Sequence, residues 1–332
     1  SEAENRATVI FLRKNAEIYF LFSAMSYPFI ALYNSGAALF RAIGNSKISM
    51  INSAVMNVIN IILNAIFIFV FKWGVFGAVL ATLIARAVAC IVILKMLSHR
   101  DNDVCVNDYL HWKFDFMYIK KILAIGIPSG LENGMFQLGK ILVQSLIATF
   151  GTYSIAANAV SNNLAQMQII PGMAMSLAMV TVVGQCVGAN DYKQAKYYVK
   201  KLLKITYLSM AGLIVVLIIA TPSILTFYSL SKETTDLAYQ CIFLHAIIAA
   251  LIWPTSFTFP NALRAANDAK FTMIVSAASM LIFRLCFSYV LGQYMNLGLI
   301  GVWIAMFIDW GVRCIFFIWR YFSGKWMNRQ LV

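Results

Sequence analysis

The sequence predicts an all-α membrane protein in which nine transmembrane helices are visible. Of the 332 residues, 61% are hydrophobic and only 12% are charged, whereas soluble domains carry about 25% charged residues. The mean hydropathy is +0.77. Apolar residues form continuous runs without strict alternation, so barrel strands are not expected. This composition excludes an ordinary soluble enzyme, a disordered chain and a disulfide-stapled small domain.

The nine predicted helices follow one another through mostly short connections. Each apolar run is long enough to cross a bilayer, which takes about 20 residues. The runs are 16–41, 48–71, 75–97, 121–150, 154–188, 201–228, 236–263, 270–292 and 298–320. Longer connections lie at 98–120, which contains SHRDNDVCVNDY, and at 188–204.

The positive charge of the chain has a consistent sidedness. Lysine and arginine number 26 against 13 acidic residues, a formal net charge of +13. Seventeen of these cations fall in connections on one side of the predicted helices, five on the other side and four within helices. The positive-inside rule makes the cation-rich side cytoplasmic. The charge therefore indicates topology, and no nucleic-acid partner is expected.

Residue types that carry catalysis or bind metals are scattered. The six cysteines form no CxxC pair, and the three histidines have no metal-binding spacing. A membrane-embedded enzyme, an alternative of a different class, would need a paired His/Asp or Ser/His arrangement. His245 alone does not supply one. The chain is therefore not expected to be an enzyme, and neither a cofactor nor a structural metal is expected.

The sequence contains an internal repeat. FRAIGNSKISM at 40–50 matches LRAANDAKFTM at 263–273 with an offset of 223, and Gly74-x-x-Gly77 matches Gly298-x-x-Gly301 with an offset of 224. Both RA-x-x-x-x-K loops fall on the cation-rich side, which indicates a parallel duplication. The spacing implies about 105 further residues before the first copy, enough for three helices. The complete pattern would then be twelve helices in two bundles of six.

Several segments together resemble the multidrug and toxic compound extrusion (MATE) transporters. The segments are FRAIGNSK, GVFGAVLATLIAR, IGIPSGLENGMFQLGK, the long run from SIAANAVSNN to VGQCVGAND, FPNALRAANDAKFTM and IDWGVRCIFFIWRYFSGKW. The resemblance implies helices 4–12 of a twelve-helix fold. Residues 1–97 would complete an N-lobe, 98–120 would form a cytoplasmic linker and 121–332 a C-lobe.

The resemblance also implies a function. It is that of a secondary active multidrug efflux antiporter, which exports organic, often cationic, amphiphiles in exchange for H⁺ or Na⁺. The expected partners are small drug-like molecules and the lipid bilayer, around a monomeric multi-pass protein of a bacterial plasma membrane. The alternative is a lipid or lipid-linked oligosaccharide flippase of the sister family, which should show a cluster of cavity cations. Lys140, Arg284 and Arg86 keep that alternative open.

Glu132 is the predicted coupling residue. It lies 11 residues past Lys121, or roughly 16 Å along a helix, which places it near the bilayer midplane. Acids at that depth mark function by default. No cation occurs three or four residues away, so the carboxylate is expected to be unpaired and to hold an exchangeable proton. The competing interpretation is a structural acid bonded to a neighbouring amide or helix.

Besides Glu132 and Lys140, four other charges lie deep within predicted helices. Asp309 and Arg313 are four residues apart and can meet on one helix face. The favoured interpretation is a mutually neutralised pair, and the alternative is a pair that opens to admit an ion. Arg284 and Arg86 have no acid in their own helices, and a structural role is favoured for both.

Polar side chains near Glu132 predict a substrate cavity. The alternative is that such amides bind helices together, but stripes of them favour a polar lining. The candidates are Gln137, Lys140, Asn158, Asn162, Asn163 and Asn57.

Family members place coupling acids in helix 1, in helix 7, or in both helices 7 and 10. Helix 7 matches 121–150, where Glu132 is the only acid, and the helix 10 position falls near Trp253–Pro254, where there is none. A sodium ion near Glu132 is possible, but one acid favours a proton.

Overall fold

A computed structural model describes residues 2–99, 105–106 and 115–327. Within these ranges the regular structure is helical, and the contacts divide the chain into two compact units, Ser1–Lys113 and Phe114–Val332. Most of the predicted linker 98–120 lies outside the described residues, since 100–104 and 107–114 are not among them.

The first unit contains three long helices. These are α1 (Glu2–Ala42), α2 (Ser46–Ala65, extended by a π-helical turn at Ile66–Val70) and α3 (Gly74–Leu97). Both α1 and α2 pack against α3. The core of the unit lies between α1 and α3, where Phe40, Ala89 and Ile93 are fully buried.

The second unit contains the remaining helices. They are α4 (Phe116–Ala148), α5 (Thr152–Gln168), α6 (Ile170–Gly188), α7 (Tyr192–Phe227), α8 (Lys232–Trp253), α9 (Pro260–Ala265), α10 (Ala269–Ser279) and α11 (Gly298–Phe322). Short π-helical segments at Pro254–Thr258, Met280–Cys286 and Ser288–Tyr294 connect some of them. The largest core cluster joins α4, α5, α7, α8 and α11.

The predicted helix 154–188 is interrupted, which corrects the sequence expectation. It divides into α5 and α6 at Ile169, and Pro171 lies in the first turn of α6. Proline has no backbone N–H to donate and favours the start of a helix. The apolar run continues through this point, so hydropathy alone gave no sign of the break.

Eight helical segments among the described residues are long and apolar enough to cross a membrane. The segment missing from that set, relative to the nine predicted, is α4. It is 33 residues long but too polar, because Glu132, Asn133, Gln137, Lys140 and Gln144 interrupt its apolar run. The polarity of α4 coincides with its position in the cavity described below.

The first block of the internal repeat has the same local structure in both copies. Arg41 Nη1 donates to Ser49 Oγ (3.0 Å), and Arg264 Nε donates to the corresponding Thr272 Oγ1 (3.3 Å). The turn between the helices has a positive φ at Gly44 (83°) in one copy and at Asn267 (63°) in the other. The predicted repeat is therefore present in the backbone as well as in the sequence.

The second block of the repeat agrees equally well. The backbone N–H of Trp73 donates to Phe67 O (2.9 Å), and that of Leu297 donates to Leu291 O (3.2 Å). The adjoining Gly74 and Gly298 have φ of 53° and 55°. Glycine suits such left-handed positions because it has no Cβ.

Candidate binding cavity

A cavity of about 760 Å³ lies within the second unit. This volume is in the range of small-molecule sites. Helices α4, α5, α6, α8, α9, α10 and α11 contribute to its walls, together with the π-helical segments after α8 and α10. Among the predicted site residues, the lining includes Glu132, Gln137, Lys140, Asn162, Arg284 and Arg313.

Glu132 is paired, which corrects the prediction of an unpaired acid. Its Oε1 accepts a hydrogen bond from Arg264 Nη2 at 2.6 Å, and the two side chains are 12% and 25% exposed. The partner is 132 residues away along the chain, on α9 rather than on α4. The spacing of residues along α4 does not reveal this partner, because tertiary packing brings α9 to α4.

Arg264 makes two hydrogen bonds in addition to the one with Glu132. Its Nη1 donates to Asn261 Oδ1 (2.9 Å) and its Nε donates to Thr272 Oγ1 (3.3 Å). Asn261 lies one turn earlier on α9, and Thr272 lies on α10. The guanidinium would thus keep two neutral acceptors if the bond to Glu132 were lost.

Phe136 is the centre of a cluster of cations. Lys140 Nζ lies 5.1 Å from the centroid of its ring, and the guanidinium carbons of Arg284 and Arg313 each lie 5.4 Å from it. Phe136 and Lys140 are four residues apart on α4, so they share a helix face. Aromatic faces attract cations, and here one ring has three such neighbours.

The expected pair of Asp309 and Arg313 is present and buried. Arg313 Nε donates to Asp309 Oδ1 at 2.9 Å, with side chains 3% and 0% exposed. Ser279 Oγ donates to the same oxygen at 2.5 Å. Arg313 Nη2 also donates to the backbone oxygen of Ser276 (3.1 Å). The pair therefore fastens α11 to α10.

The positive charges in the cavity outnumber the negative ones. Its lining contains four cationic side chains, Lys140, Arg264, Arg284 and Arg313, and one acidic one, Glu132. Asp309, which does not line the cavity, neutralises Arg313, and Glu132 neutralises Arg264. Lys140 and Arg284 make no ion pair with any described residue, and the Nε of Arg284 is buried without a hydrogen-bond partner.

Aromatic side chains form much of the apolar wall. Trp253, Phe257, Trp303 and Trp310 line the cavity with His245. The Nδ1 of His245 is 2.6 Å from Gln168 Oε1, and its ring meets those of Trp303 and Trp310 edge-on. Nothing in the sequence indicated that Phe257, Trp303 and Trp310 belong to a cavity, because the chain contains 24 Phe, 15 Tyr and 7 Trp.

The predicted amides have different surroundings. Asn162 and Gln137 line the cavity. Asn158 is buried instead and joins three helices, since its Nδ2 donates to Gln144 Oε1 (3.0 Å) and its Oδ1 accepts from Trp303 Nε1 (3.2 Å). Both ends of the Asn158 amide are thus occupied by protein groups. Asn163 is exposed and is not among the lining residues.

Two predicted residues belong to the first unit. Asn57 is exposed on α2 and donates to the backbone oxygen of Ser53 in its own helix (3.0 Å). Arg86 Nη1 donates to Ser26 Oγ at 2.6 Å, joining α3 to α1. This contact agrees with a structural role for Arg86.

Three comparisons with known proteins agree with one another. A family model described as MatE matches residues 128–290. The probable multidrug resistance protein YoeA of Bacillus subtilis is 25% identical over 94% of this chain and 68% of its own length. The probable multidrug resistance protein NorM of Thermotoga maritima is 25% identical over 94% of this chain and 67% of its own length.

The fold agrees with solved structures as well. The outward-facing conformation of a MATE family transporter of the MOP superfamily superposes with a TM-score of 0.82 at 22% identity, over 91% of this chain and 68% of that one. Fold and comparisons together define a multi-pass membrane transporter. Within that class the chain is similar to the MATE transporters: the family model matches residues 128–290, and the two relatives named above are bacterial. The resemblance read from the sequence is confirmed.

Proposed function

We propose that this transporter exports organic amphiphiles in exchange for H⁺ through the cavity of the second unit, with Glu132 as the coupling acid. The observation that carries the proposal is the ion pair of Glu132 and Arg264 in the cavity wall, with its 2.6 Å hydrogen bond.

The ion pair links proton occupancy to the arrangement of the wall. When Glu132 is ionised, it holds α9 to α4 through Arg264. Protonation removes the negative charge, and Arg264 then retains only its bonds to Asn261 and Thr272. A ligand that prefers either arrangement shifts the equilibrium and thereby changes the affinity for the proton.

Of the two ions expected from the family, a proton suits this site better than sodium. The carboxylate of Glu132 already has a guanidinium beside it, and a metal cation there would be repelled by a like charge at short range. A proton forms a covalent O–H bond and needs no further ligands.

Accessibility separates Glu132 from Asp309. Both acids are paired with arginine, but Asp309 is fully buried and Arg313 is 3% exposed, whereas Glu132 and Arg264 are 12% and 25% exposed. Glu132 also lines the cavity and Asp309 does not. A proton from the cavity can therefore reach the partly exposed pair of Glu132 and Arg264.

The test is substrate efflux by the full-length protein in vesicles with an imposed pH gradient, normalised to the protein present. Glu132→Gln keeps the size of the side chain and an oxygen for Arg264 but cannot release a proton. We expect expression near that of the wild type and loss of proton-driven efflux. The control is Glu17→Gln, which removes a carboxylate from an exposed pair with Arg13 (2.9 Å) and should leave efflux unchanged.

Three outcomes would count against parts of the proposal. If the Glu132→Gln variant shows proton-driven efflux at the wild-type rate, Glu132 is not the coupling acid. If Asp309→Asn abolishes coupling instead, the two acids have been assigned in the wrong order. Efflux driven by a sodium gradient at equal pH would show that sodium is the coupling ion.

One observation favours a second function. The flippase alternative predicts a cluster of cavity cations, and Lys140, Arg264, Arg284 and Arg313 line the cavity. A flippase would present the same cations to the headgroup of a lipid-linked molecule. The two candidate functions therefore differ in the charge of the ligand.

A further inference from the structure

We propose that the cavity of the second unit binds amphiphilic anions, with the anionic group at Lys140 and Arg284 and the apolar part against the aromatic wall. The inference rests on the proposed function in that the same cavity is taken as the transport site. It differs from the expectation of often cationic ligands, which the family resemblance implies. The ligand chemistry is a carboxylate, sulfonate or phosphate attached to an apolar body.

The first argument is the balance of charge. Each acid at the cavity has its own arginine, Glu132 with Arg264 and Asp309 with Arg313. Among the described residues, neither Lys140 nor Arg284 has an acid within ion-pair distance, and Asp309, which attracts Arg284 from farther away, is already paired with Arg313. With both acids ionised the site carries two uncompensated positive charges, and protonation of Glu132 adds a third.

The second argument is the cost of leaving these cations unpaired. Charges within a membrane protein are expensive unless they are paired or hydrated. Arg284 lines the cavity with its Nε buried and without a hydrogen-bond partner. Its guanidinium lies over the face of Phe136, which it shares with Lys140, and it is attracted by Asp309 and repelled by Arg313. An anion between these two cations would supply the missing negative charge.

The third argument is the form of the remaining wall. Trp253 and Phe257 stack with their centroids 5.1 Å apart, and Phe257 meets Trp310 edge-on at 5.6 Å. These rings offer flat apolar surface on the same cavity. A cationic ligand could use that surface but would face two like charges in a medium of low dielectric constant.

The experiment compares two probes that differ in charge and share one apolar body. Pyrenebutyrate is the anion, and pyrenebutyl-trimethylammonium is the cation. Binding to the full-length protein in nanodiscs of neutral phosphatidylcholine is measured by energy transfer from tryptophan to pyrene. We expect the anion to bind at least about tenfold more tightly, since a hydrogen-bonded charge contributes that much or more.

Substitutions locate the anionic group. Lys140→Gln and Arg284→Gln should each weaken pyrenebutyrate binding by about tenfold and leave the cationic probe unchanged or more tightly bound. Arg284→Lys should restore part of the affinity by restoring the charge. The matched control is Lys201→Gln, because Lys201 also lies over an aromatic ring, Tyr197, at 5.6 Å, but is not among the residues lining the cavity.

The proposal is overturned if the cationic probe binds as tightly as the anion, or if Lys140→Gln weakens binding no more than Lys201→Gln. Lys140→Gln decides the matter even if the Arg284 variants fail to fold. These measurements use no ion gradient, so they can fail while Glu132→Gln still abolishes coupling. Conversely, anion binding can succeed when Glu132 has no role in coupling.

Nanodiscs of a second composition distinguish the source of the anion. Adding phosphatidylglycerol to the phosphatidylcholine introduces an anionic lipid headgroup beside the protein. If phosphatidylglycerol competes with pyrenebutyrate, and Lys140→Gln abolishes this competition, the ligand is a lipid. Binding of pyrenebutyrate that is insensitive to the anionic lipid would identify a free amphiphile. Both results support an anionic ligand.

Discussion

At the residue scale, two ion pairs of the same chemistry occupy different environments. Asp309 is enclosed between Arg313 and Ser279, whereas Glu132 and Arg264 border the cavity. Removing one partner of a buried pair leaves an uncompensated charge, and the cost rises with burial. The two acids should therefore respond differently to the same carboxylate-to-amide change.

We predict that Asp309→Asn destabilises the protein. The substitution leaves Arg313 buried without its negative partner, at a cost of about 3–5 kcal/mol. The expected result is a lower yield and a lower thermal midpoint in detergent. The midpoint is measured by size-exclusion chromatography of samples heated to a series of temperatures. Ser279→Ala is the control, because it removes only the hydroxyl that donates to the Oδ1 and the backbone oxygen of Asp309 and should cost only about 1 kcal/mol.

An Asp309→Asn protein as stable as the wild type would contradict this interpretation. In that case Arg313 could hold its position through the backbone oxygen of Ser276 alone. Glu132→Gln should keep near-normal stability in the same assay, because its pair is partly exposed.

At the element scale, close packing of helices against α6 depends on a single glycine. A Cβ on Gly172 would lie 2.1 Å from Trp253 Cζ3 and 2.8 Å from Met210 Sδ. Trp253 is itself 5% exposed and lies in the main core. Because residue 172 has no side chain, the first turn of α6 can lie against the ring of Trp253 at the end of α8.

We predict that Gly172→Ala destabilises the second unit by about 1–3 kcal/mol, the usual cost of overpacking a core. The matched control is Gly184→Ala in the same helix, where nothing lies within 4 Å of the added Cβ. Alanine favours a helix over glycine by about 1 kcal/mol, so the control should be neutral or more stable. Equal thermal midpoints for the two variants would show that Trp253 moves aside freely.

At the scale of the whole molecule, the duplication repeats a close contact between a helix and the turn before it. A Cβ on Gly77 would lie 2.8 Å from Phe67 Cβ and 3.2 Å from its carbonyl carbon. At the corresponding Gly301 it would lie 2.7 Å from the backbone carbon and oxygen of Leu291. Each copy thus uses a glycine to bring its helix against the preceding π-helical segment.

We predict that Gly77→Ala and Gly301→Ala both lower thermal stability, and that Gly301→Ala has the larger effect. The reason is that the added Cβ would lie 2.7–2.8 Å from three backbone atoms at Gly301, whereas the nearest backbone atoms at Gly77 are 3.2 Å away. The cost at Gly301 should therefore exceed the usual figure of about 1–3 kcal/mol. The control is Gly311→Ala on the same helix, where the added Cβ meets nothing within 4 Å. If Gly301→Ala matches Gly311→Ala in thermal midpoint, the equivalence of the two contacts is wrong.

The sequence by itself determined the helical membrane class, the approximate helices, the internal repeat and the resemblance to the MATE transporters. These features depend on hydropathy and on the order of residues, which are local or periodic properties. The i,i+4 pair of Asp309 and Arg313 was also predictable, because one helix fixes the distance between its members.

Only the tertiary structure decided the partners that come from different helices. It gave Glu132 the guanidinium of Arg264, placed Asn158 between Gln144 and Trp303, and gathered three cations around Phe136. It also divided one predicted span into α5 and α6. Such contacts depend on how helices far apart in the chain pack together, and a search along one helix cannot reach them. That is the physical reason why the sequence located the acid but not the charge that neutralises it.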